Sequence, residues 1–169
     1  MIVCLDTNVL IWGIRAFASP GQEQMLEDAE ALIKKLDQEN HRVIIPSPVI
    51  FEYLVGFDDR KRIKKVQDEL SKRFEIAPFD NLAAYICADI WLEKNQGKTI
   101  APKLKEFGPK AFLKVDCQIV AIAKSRNAEV IYSHDSRKSL INFAQGHIKV
   151  SNIPPAPSKQ LTLQLPLDS

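Results

Sequence analysis

The start of the chain constrains the fold most strongly, because a short apolar run there stops abruptly on a carboxylate. Residues 2–5 are apolar, Asp6 follows them, and a second apolar run begins after Asn8. A buried strand that ends in an acid and leads directly into a helix commonly places that acid at the rim of a parallel sheet. Alternatively, Asp6 only caps the following helix, where aspartate is favoured. A chemical role for Asp6 therefore depends on other acids gathering around it.

Apolar runs and helical patterns alternate along the rest of the chain. After the first strand, strands are predicted at residues 42–46, 74–78, 129–133 and 147–150. Helices are predicted near residues 8–15, 22–39, 48–56, 58–72, 81–95, 115–126 and 136–145. Strands separated by helices favour right-handed crossovers and a parallel sheet covered on both faces. The predicted fold is a three-layer α/β/α sandwich whose mainly parallel central sheet has about five strands.

The composition indicates one globular domain followed by a tail. The chain has 169 residues, of which 46% are hydrophobic and 26% are charged, and this is enough to build one adequate core. We expect the domain to cover residues 1–150, with a basic insertion near 96–114 where glycine and proline interrupt the helical pattern. Residues 151–169 are rich in proline, so we expect that tail to be extended or disordered.

Composition also bears on location and on partners. No apolar run approaches the roughly 20 residues that span a bilayer, and the first residues lack the features of a signal peptide. The three cysteines, Cys4, Cys87 and Cys117, are far apart in the sequence and lie among apolar residues. They are expected to be free, buried thiols in a reducing cytoplasm, not a disulfide framework or a zinc site. The net charge of +2 is too small to indicate nucleic-acid binding by itself.

Two further acids stand alone in apolar segments. Glu52 is the only charged residue within 44–56, and burying an isolated carboxylate is costly unless a cation or water reaches it. Asp116 is the only charge within 115–123, at the predicted start of a nearly buried helix whose N-terminus would keep the carboxylate ionised. The alternatives are a solvent-facing stripe for Glu52 and a helix N-cap for Asp116.

A fourth acid, Asp135, follows the predicted strand at 129–133, and the alternative for it is a turn or cap residue. The carboxyl ends of the strands form the ligand crevice of an open α/β sheet, so these four acids can meet there. Gathered carboxylates repel one another unless a divalent cation neutralises them, and oxygen ligands favour Mg²⁺ or Mn²⁺ over zinc. His134 is expected to be an exposed loop residue and not a ligand.

Taken together, these residues resemble the acidic motifs of PIN-domain ribonucleases, whose best-known bacterial members are the VapC-type toxins. The resemblance covers roughly residues 1–150 and is carried by Asp6-Thr7-Asn8, Glu52, Asp116 with residues 119–123, and Ser133-His134-Asp135. It implies that the side chains holding Mg²⁺ or Mn²⁺ are those of Asp6, Glu52, Asp116 and Asp135. It also implies that Asn8 and Ser133 support these carboxylates. The insertion and the tail depart from the family pattern.

The same resemblance implies an activity and partners. A divalent cation polarises a phosphodiester oxygen and lowers the pKa of a water that attacks in line, so we expect direct hydrolysis of RNA by a metal-dependent ribonuclease. The resemblance is also compatible with a homodimer and with a small antitoxin protein, as in a toxin–antitoxin pair. The candidate RNA-binding residues surround a single acid in the insertion and are Lys98, Lys103, Lys105, Lys110 and Lys114. A solvated loop is the alternative for these lysines.

Two other functions compete with this interpretation. A haloacid-dehalogenase-like phosphatase also begins with an aspartate at a strand end, but it needs a second aspartate where this chain has Asn8. A catalytically silent PIN-like module would bind RNA or protein without cleaving RNA. The presence of all four acids in the sequence argues against such a loss of the site.

Overall fold

The computed structural model describes residues 1–96, 105–106, 108–134 and 138–157. The strands in these ranges are β1 (Ile2–Leu5), β2 (Arg42–Pro46), β3 (Glu75–Ala77), β4 (Val130–Tyr132) and β5 (Lys149–Ser151). The helices are α1 (Thr7–Gly13), α2 (Gln24–Gln38), α3 (Ser47–Leu54), α4 (Arg60–Arg73), α5 (Asn81–Asn95), α6 (Lys110–Ser125) and α7 (Ser139–Ala144). All strand pairs are parallel, in the order β3-β2-β1-β4-β5. The predicted α/β fold with a five-stranded parallel sheet is confirmed.

Strand β1 lies at the centre of the sheet, where the strand order reverses. It pairs with β2 on one side and with β4 on the other. The chain runs outward from β1 through β2 to β3, and then returns to β4 and continues to β5. In such a sheet, the ligand crevice opens at the carboxyl ends of the two strands that flank the reversal. Here that point lies between Asp6, which follows β1, and Ser133, which follows β4.

Helices cover both faces of this sheet. Helix α1 contacts α2 and α3, and α3 contacts α4, whereas α5, α6 and α7 pack against one another. Right-handed crossovers place α1 to α4 on one face and α7 on the other, which gives three layers. The central strands are buried on both sides, and Val3, Leu5 and Ile131 are completely inaccessible to solvent. A parallel strand covered on both faces needs the continuous apolar run that the sequence has at 2–5.

Helix α6 begins earlier than the sequence indicates. We expected irregular chain up to residue 114, because Gly108 and Pro109 are helix breakers. In the structure Pro109 is instead the N-cap of a helix that starts at Lys110, a position where its fixed φ is compatible with helix entry. Residues 110–114 are therefore helical, and Leu113 is fully buried. The rest of the predicted insertion at 97–104, with Lys98 and Lys103, lies outside the described residues, as does residue 107.

The first residues of the predicted tail pack against the domain. Ser151 ends strand β5, and Ile153 is buried. Beyond it, the backbone N–H of Ala156 donates a hydrogen bond of 2.8 Å to Oδ1 of Asp28, a buried residue of α2. Residues 151–157 are thus described in contact with the domain, and residues 158–169 lie outside the described ranges. Among the described helices, none has the length and apolarity required to cross a membrane.

The three cysteines are free, as predicted, but two of them are not far apart in space. Cys4 and Cys117 are buried, whereas Cys87 is only partly buried. The sulfur of Cys87, on α5, lies 3.3 Å from the sulfur of Cys117, on α6. The packing of α5 against α6 brings these residues together, and no spacing in the sequence signals it.

Candidate functional site

The register of the two central strands fixes Asp6 beside Ser133. Leu5 of β1 lies opposite Tyr132 of β4, and the backbone N–H of Asp6 continues this pairing with a 3.0 Å hydrogen bond to the carbonyl of Tyr132. The next pair of side chains then meets, and Ser133 Oγ donates a 2.5 Å hydrogen bond to Asp6 Oδ2. Only 8% of Asp6 and 1% of Ser133 is exposed. The carboxylate is thus held at the point where the strand order reverses.

Asp6 also caps helix α1, so the two interpretations of this residue are not exclusive. Its Oδ1 accepts a 2.7 Å hydrogen bond from the backbone N–H of Thr7, and its backbone is extended, as expected at an N-cap. One carboxylate oxygen therefore orders the start of the helix, while the other is oriented by Ser133. Its charge also contributes to the raised pKa of Cys4, whose main cause is complete burial of that thiol.

Glu52 reaches the same edge of the sheet through Thr7. The hydroxyl Oγ1 of Thr7 donates a 2.5 Å hydrogen bond to Glu52 Oε2. Glu52 is the sixth residue of the eight-residue helix α3, not a residue of its first turn. Val49 and Tyr53 form the buried face of that helix, and Glu52 is half-buried at its border. The dipeptide Asp6-Thr7 thus contains one of the four predicted acids and contacts a second, Glu52, through the hydroxyl of Thr7.

Asp116 is held by a third hydroxyl. Ser139, the first residue of α7 and itself buried, donates from Oγ to Asp116 Oδ2. Because α6 starts at Lys110, Asp116 is its seventh residue, so the helix N-cap considered for Asp116 is wrong. The argument that a helix N-terminus keeps this carboxylate ionised fails for the same reason. Asp116 is half-buried, and the apolar run 119–123 that follows it is at most 1% exposed, as the sequence indicates.

The loop after β4 is attached to α1 through Asn8 and Trp12. Asn8 Nδ2 donates a long hydrogen bond of 3.4 Å to the backbone carbonyl of His134. The His134 ring packs edge-on against Trp12, with ring centroids 5.4 Å apart, and remains exposed as predicted. In the described structure Asn8 therefore contacts the loop backbone. Asp135, the next residue, lies outside the described residues, so its place among the acids stays a prediction.

A common pattern joins the three described acids, since each accepts a hydrogen bond from a hydroxyl. A hydroxyl fixes the direction of a carboxylate oxygen but carries no charge to neutralise it. The donor chemistry, oxygen only, suits Mg²⁺ or Mn²⁺. Within the described ranges, however, no three His, Cys, Asp or Glu side chains lie close enough together to hold a metal ion. A complete metal site would need a contribution from residues outside those ranges, as the resemblance implies for Asp135.

Sequence reasoning did not identify two of these hydroxyls. Thr7 belongs to the quoted motif, yet its contact with Glu52 depends on how α3 packs beside α1. Ser139 carries no signal at all, because its contact with Asp116 joins residues of two different helices. Of the predicted RNA-binding lysines, those that the structure describes are all exposed, namely Lys105, Lys110 and Lys114.

The described surface also contains two grooves, and neither is lined by the predicted acids. The first, of about 300 Å³, lies along α4, beside the C-terminal ends of α1 and α3, and is lined in part by Arg15, Arg62 and Arg73. Arg15 and Arg62 stack on Phe57 there, with guanidinium carbons 4.6 and 5.0 Å from the ring centroid. The second, of about 590 Å³, is mainly apolar and lies between α5 and α6.

Solved structures with the same fold include three complexes. VapBC2 from Rickettsia felis, bound to a DNA fragment from its promoter, has a TM-score of 0.61 and 18% identity, covering 90% of this chain and 98% of that chain. DNA-bound VapBC from Salmonella typhimurium has a TM-score of 0.57 and 20% identity, covering 91% and 99%. VapBC-1 from nontypeable Haemophilus influenzae has a TM-score of 0.57 and 18% identity, covering 90% and 98%. At these identities the likeness establishes the fold.

The sequence itself identifies the family. No curated protein matches the chain. The family model described as the PIN domain, however, matches residues 3–144, which is most of the chain and includes every acid discussed above. The strand order, the position of Asp6 after β1 and this match agree. The chain therefore belongs to the PIN-domain family.

Proposed function

We propose that this protein is a metal-dependent ribonuclease that hydrolyses phosphodiester bonds of RNA. The observation that carries the proposal is the Asp6-Thr7 dipeptide at the reversal point of the sheet. Asp6 is buried and its carboxylate is oriented by Ser133, while Thr7 orients the carboxylate of Glu52. Two adjacent residues therefore position two acids of a PIN domain. Buried, hydroxyl-oriented carboxylates suit a site that must attract and hold a divalent cation.

In this proposal the carboxylates that hold Mg²⁺ or Mn²⁺ are those of Asp6, Glu52, Asp116 and Asp135. The cation would supply charge to the phosphodiester and would acidify the attacking water. The chain's own hydroxyls keep the ligands in place, since Ser133, Thr7 and Ser139 each donate to one carboxylate. Orienting partners of this kind commonly change metal affinity or activity by about 10- to 100-fold when they are removed.

The basic residues before Asp116 are assigned to the RNA backbone. Lys105, Lys110 and Lys114 are exposed, and the last two lie on the first turns of α6, the helix that carries Asp116. Lysines at such a position can contact successive phosphates without reading the bases. Lys98 and Lys103 belong to the same proposed surface on the basis of sequence alone.

A small antitoxin protein is the proposed regulatory partner, and both would act in the cytoplasm. The solved relatives of this fold named above are VapBC complexes. This chain has exposed apolar side chains where α1 and α3 end, since Phe17, Phe51 and Val55 are 57, 68 and 62% exposed. Exposed apolar side chains that form a contiguous patch mark protein interfaces. A homodimer is a second assembly that the proposal includes.

The central test is cleavage of single-stranded RNA with and without Mn²⁺. The Asp6→Asn variant keeps the shape of the side chain and removes its charge, so we expect it to lose cleavage and the Mn²⁺-induced rise in melting temperature. Asp68→Asn is the matched control, because Asp68 is an exposed carboxylate on α4. Equal cleavage by Asp6→Asn and Asp68→Asn would refute the proposed site. Copurification of a small protein on expression with its neighbouring genes tests the antitoxin.

A catalytically silent PIN-like binding module is the second candidate. The observation that favours it is the lack, within the described part of the chain, of three potential ligands close enough to hold a metal ion. Such a module would bind RNA with the same affinity in the presence and absence of Mn²⁺ and would leave it intact. Binding and cleavage measured on the same labelled RNA therefore distinguish the two functions.

A further inference from the structure

The contact between Cys87 and Cys117 stands apart from the acids and has no role in the proposed reaction. The two residues are separated by thirty positions and lie on α5 and α6, which pack along each other. Their sulfur atoms are 3.3 Å apart, and the Cys117 sulfur is also 3.5 Å from the carbonyl oxygen of Cys87. The Cys117 sulfur thus contacts Cys87 at two atoms, its sulfur and its carbonyl oxygen.

Access to this pair is one-sided. Cys117 is completely buried, whereas Cys87 is only partly buried and lines the apolar groove between α5 and α6, together with Ala84, Ala88 and Trp91. A small uncharged oxidant can therefore reach Cys87 from solvent, whereas Cys117 is shielded from solvent and contacts the Cys87 sulfur from inside the fold. The third cysteine provides an internal contrast, because Cys4 is fully buried in the central strand β1.

We propose that Cys87 and Cys117 form a modification site, a dithiol that a peroxide oxidises to an intramolecular disulfide linking α5 to α6. In the first step the Cys87 sulfur attacks one peroxide oxygen, the O–O bond breaks, and Cys87 sulfenic acid and one water are produced. In the second step the Cys117 sulfur attacks the Cys87 sulfur, and the sulfenic oxygen leaves as a second water with the Cys117 proton. Two thiols and one peroxide become one disulfide and two waters, so atoms and electrons balance.

The geometry favours this outcome over further oxidation of Cys87. A disulfide needs a sulfur separation of about 2.05 Å, so the two sulfurs must approach by little more than about 1 Å from their present contact. Cys117 can reach a sulfenic acid at Cys87 without an opening of the fold, because it is already in contact. A sulfenic acid with a resolving thiol beside it condenses to a disulfide, whereas an isolated one proceeds to the sulfinic acid.

The test treats the reduced, full-length protein with one equivalent of hydrogen peroxide, then alkylates it under denaturing conditions and measures its intact mass. We expect loss of two of the three thiols, so the product should carry one alkyl group, on Cys4, and be about 2 Da lighter than the reduced chain with one alkyl group. Non-reducing peptide mapping should show one cross-link, between the peptides of Cys87 and Cys117. Dithiothreitol should restore all three thiols.

Variants separate the pair from the third cysteine. Cys4→Ala should still form the disulfide, whereas Cys87→Ser and Cys117→Ser should not form it. Cys87 is partly exposed, so Cys87→Ser keeps the test valid if the change at buried Cys117 prevents folding. The inference is overturned if Cys87 gains oxygen without a cross-link, or if the cross-link joins two chains or involves Cys4. None of these readouts depends on RNA cleavage, so the outcome is independent of the proposed function.

Discussion

The two edges of the sheet hold their acids in different ways. At the amino edge, Arg42 of β2 makes two hydrogen bonds of 2.6 and 2.9 Å to Glu75 of β3, so a cation cancels the charge. At the carboxyl edge, the contacts described for Asp6 and Glu52 come from the hydroxyls of Ser133 and Thr7 and from a backbone N–H. The acid at the amino edge is therefore held by a cation, whereas the contacts described for the two acids at the carboxyl edge come from neutral donors.

The largest effect in this comparison should come from Ser133→Ala. Ser133 and Asp6 are both buried, so no water replaces the lost hydroxyl, and Asp6 Oδ2 loses the donor that orients it. We expect the rate of Mn²⁺-dependent RNA cleavage to fall by about 10- to 100-fold, measured as initial rates at saturating Mn²⁺. Ser125→Ala is the control, because that hydroxyl donates only within α6, to the carbonyl of Ile122. Equal rates for the two variants would show that Ser133 does not position the site.

A smaller effect is expected from Thr7→Val, which removes the hydroxyl and keeps the shape of the side chain. Thr7 and Glu52 are half-buried, so water can take over part of the lost hydrogen bond. We expect the apparent Mn²⁺ affinity to weaken by about 10-fold, measured by titrating the metal while following the melting temperature. Thr7→Ser keeps the donor and should retain the parent's affinity. If Thr7→Ser weakens binding as much as Thr7→Val does, the donated hydrogen bond is not the cause.

A cation-held acid should behave differently with pH. The pKa of Asp80 is lowered, first by the backbone N–H of Ala83 and then by Arg126, whose guanidinium lies 2.6 Å away. Because the folded pKa lies below the unfolded one, the stabilisation is present above the unfolded pKa and is lost as the pH falls through the folded value. Asp80→Asn should therefore melt below the parent at neutral pH, and this gap should close in acid. A difference in melting temperature that does not change with pH would contradict the role of the Asp80 charge. The rise in melting temperature that Mn²⁺ produces should be the same in this variant and the parent.

The smallest effect should come from Arg42→Gln at the amino edge. The Arg42 side chain is 58% exposed and that of Glu75 is 37% exposed, so solvent screens their attraction. We expect a slight fall in melting temperature that disappears at high salt, with RNA cleavage unaffected. Thermal melts at low and high salt measure the first effect, and an RNA-cleavage assay measures the second. Loss of cleavage in this variant would mean that the two edges are not separate in function.

The features that the sequence predicted correctly depend on the chemistry of neighbouring residues in the chain. Residues 2–5 with Asp6 predicted strand β1, because an apolar run that ends abruptly on a charge leaves few alternatives, whereas its central place in the sheet came from the structure. The start of α6 was misplaced because Pro109 suits a helix entry as well as a break. The contacts of Ser139 with Asp116 and of Cys87 with Cys117 join separate helices, so only the packing of those helices could reveal them.

The hydrogen bond between Ala156 and Asp28 should protect a backbone amide beyond the last strand from exchange with solvent. The family match stops at residue 144, yet the amide proton of Ala156 points at a carboxylate that is only 3% exposed. That proton can exchange with solvent only when the segment after β5 separates from α2. In the separated state, Asp28 loses the Ala156 donor and keeps the hydrogen bond from the side chain of Gln24. Slow exchange is therefore expected at Ala156, a residue outside any strand or helix.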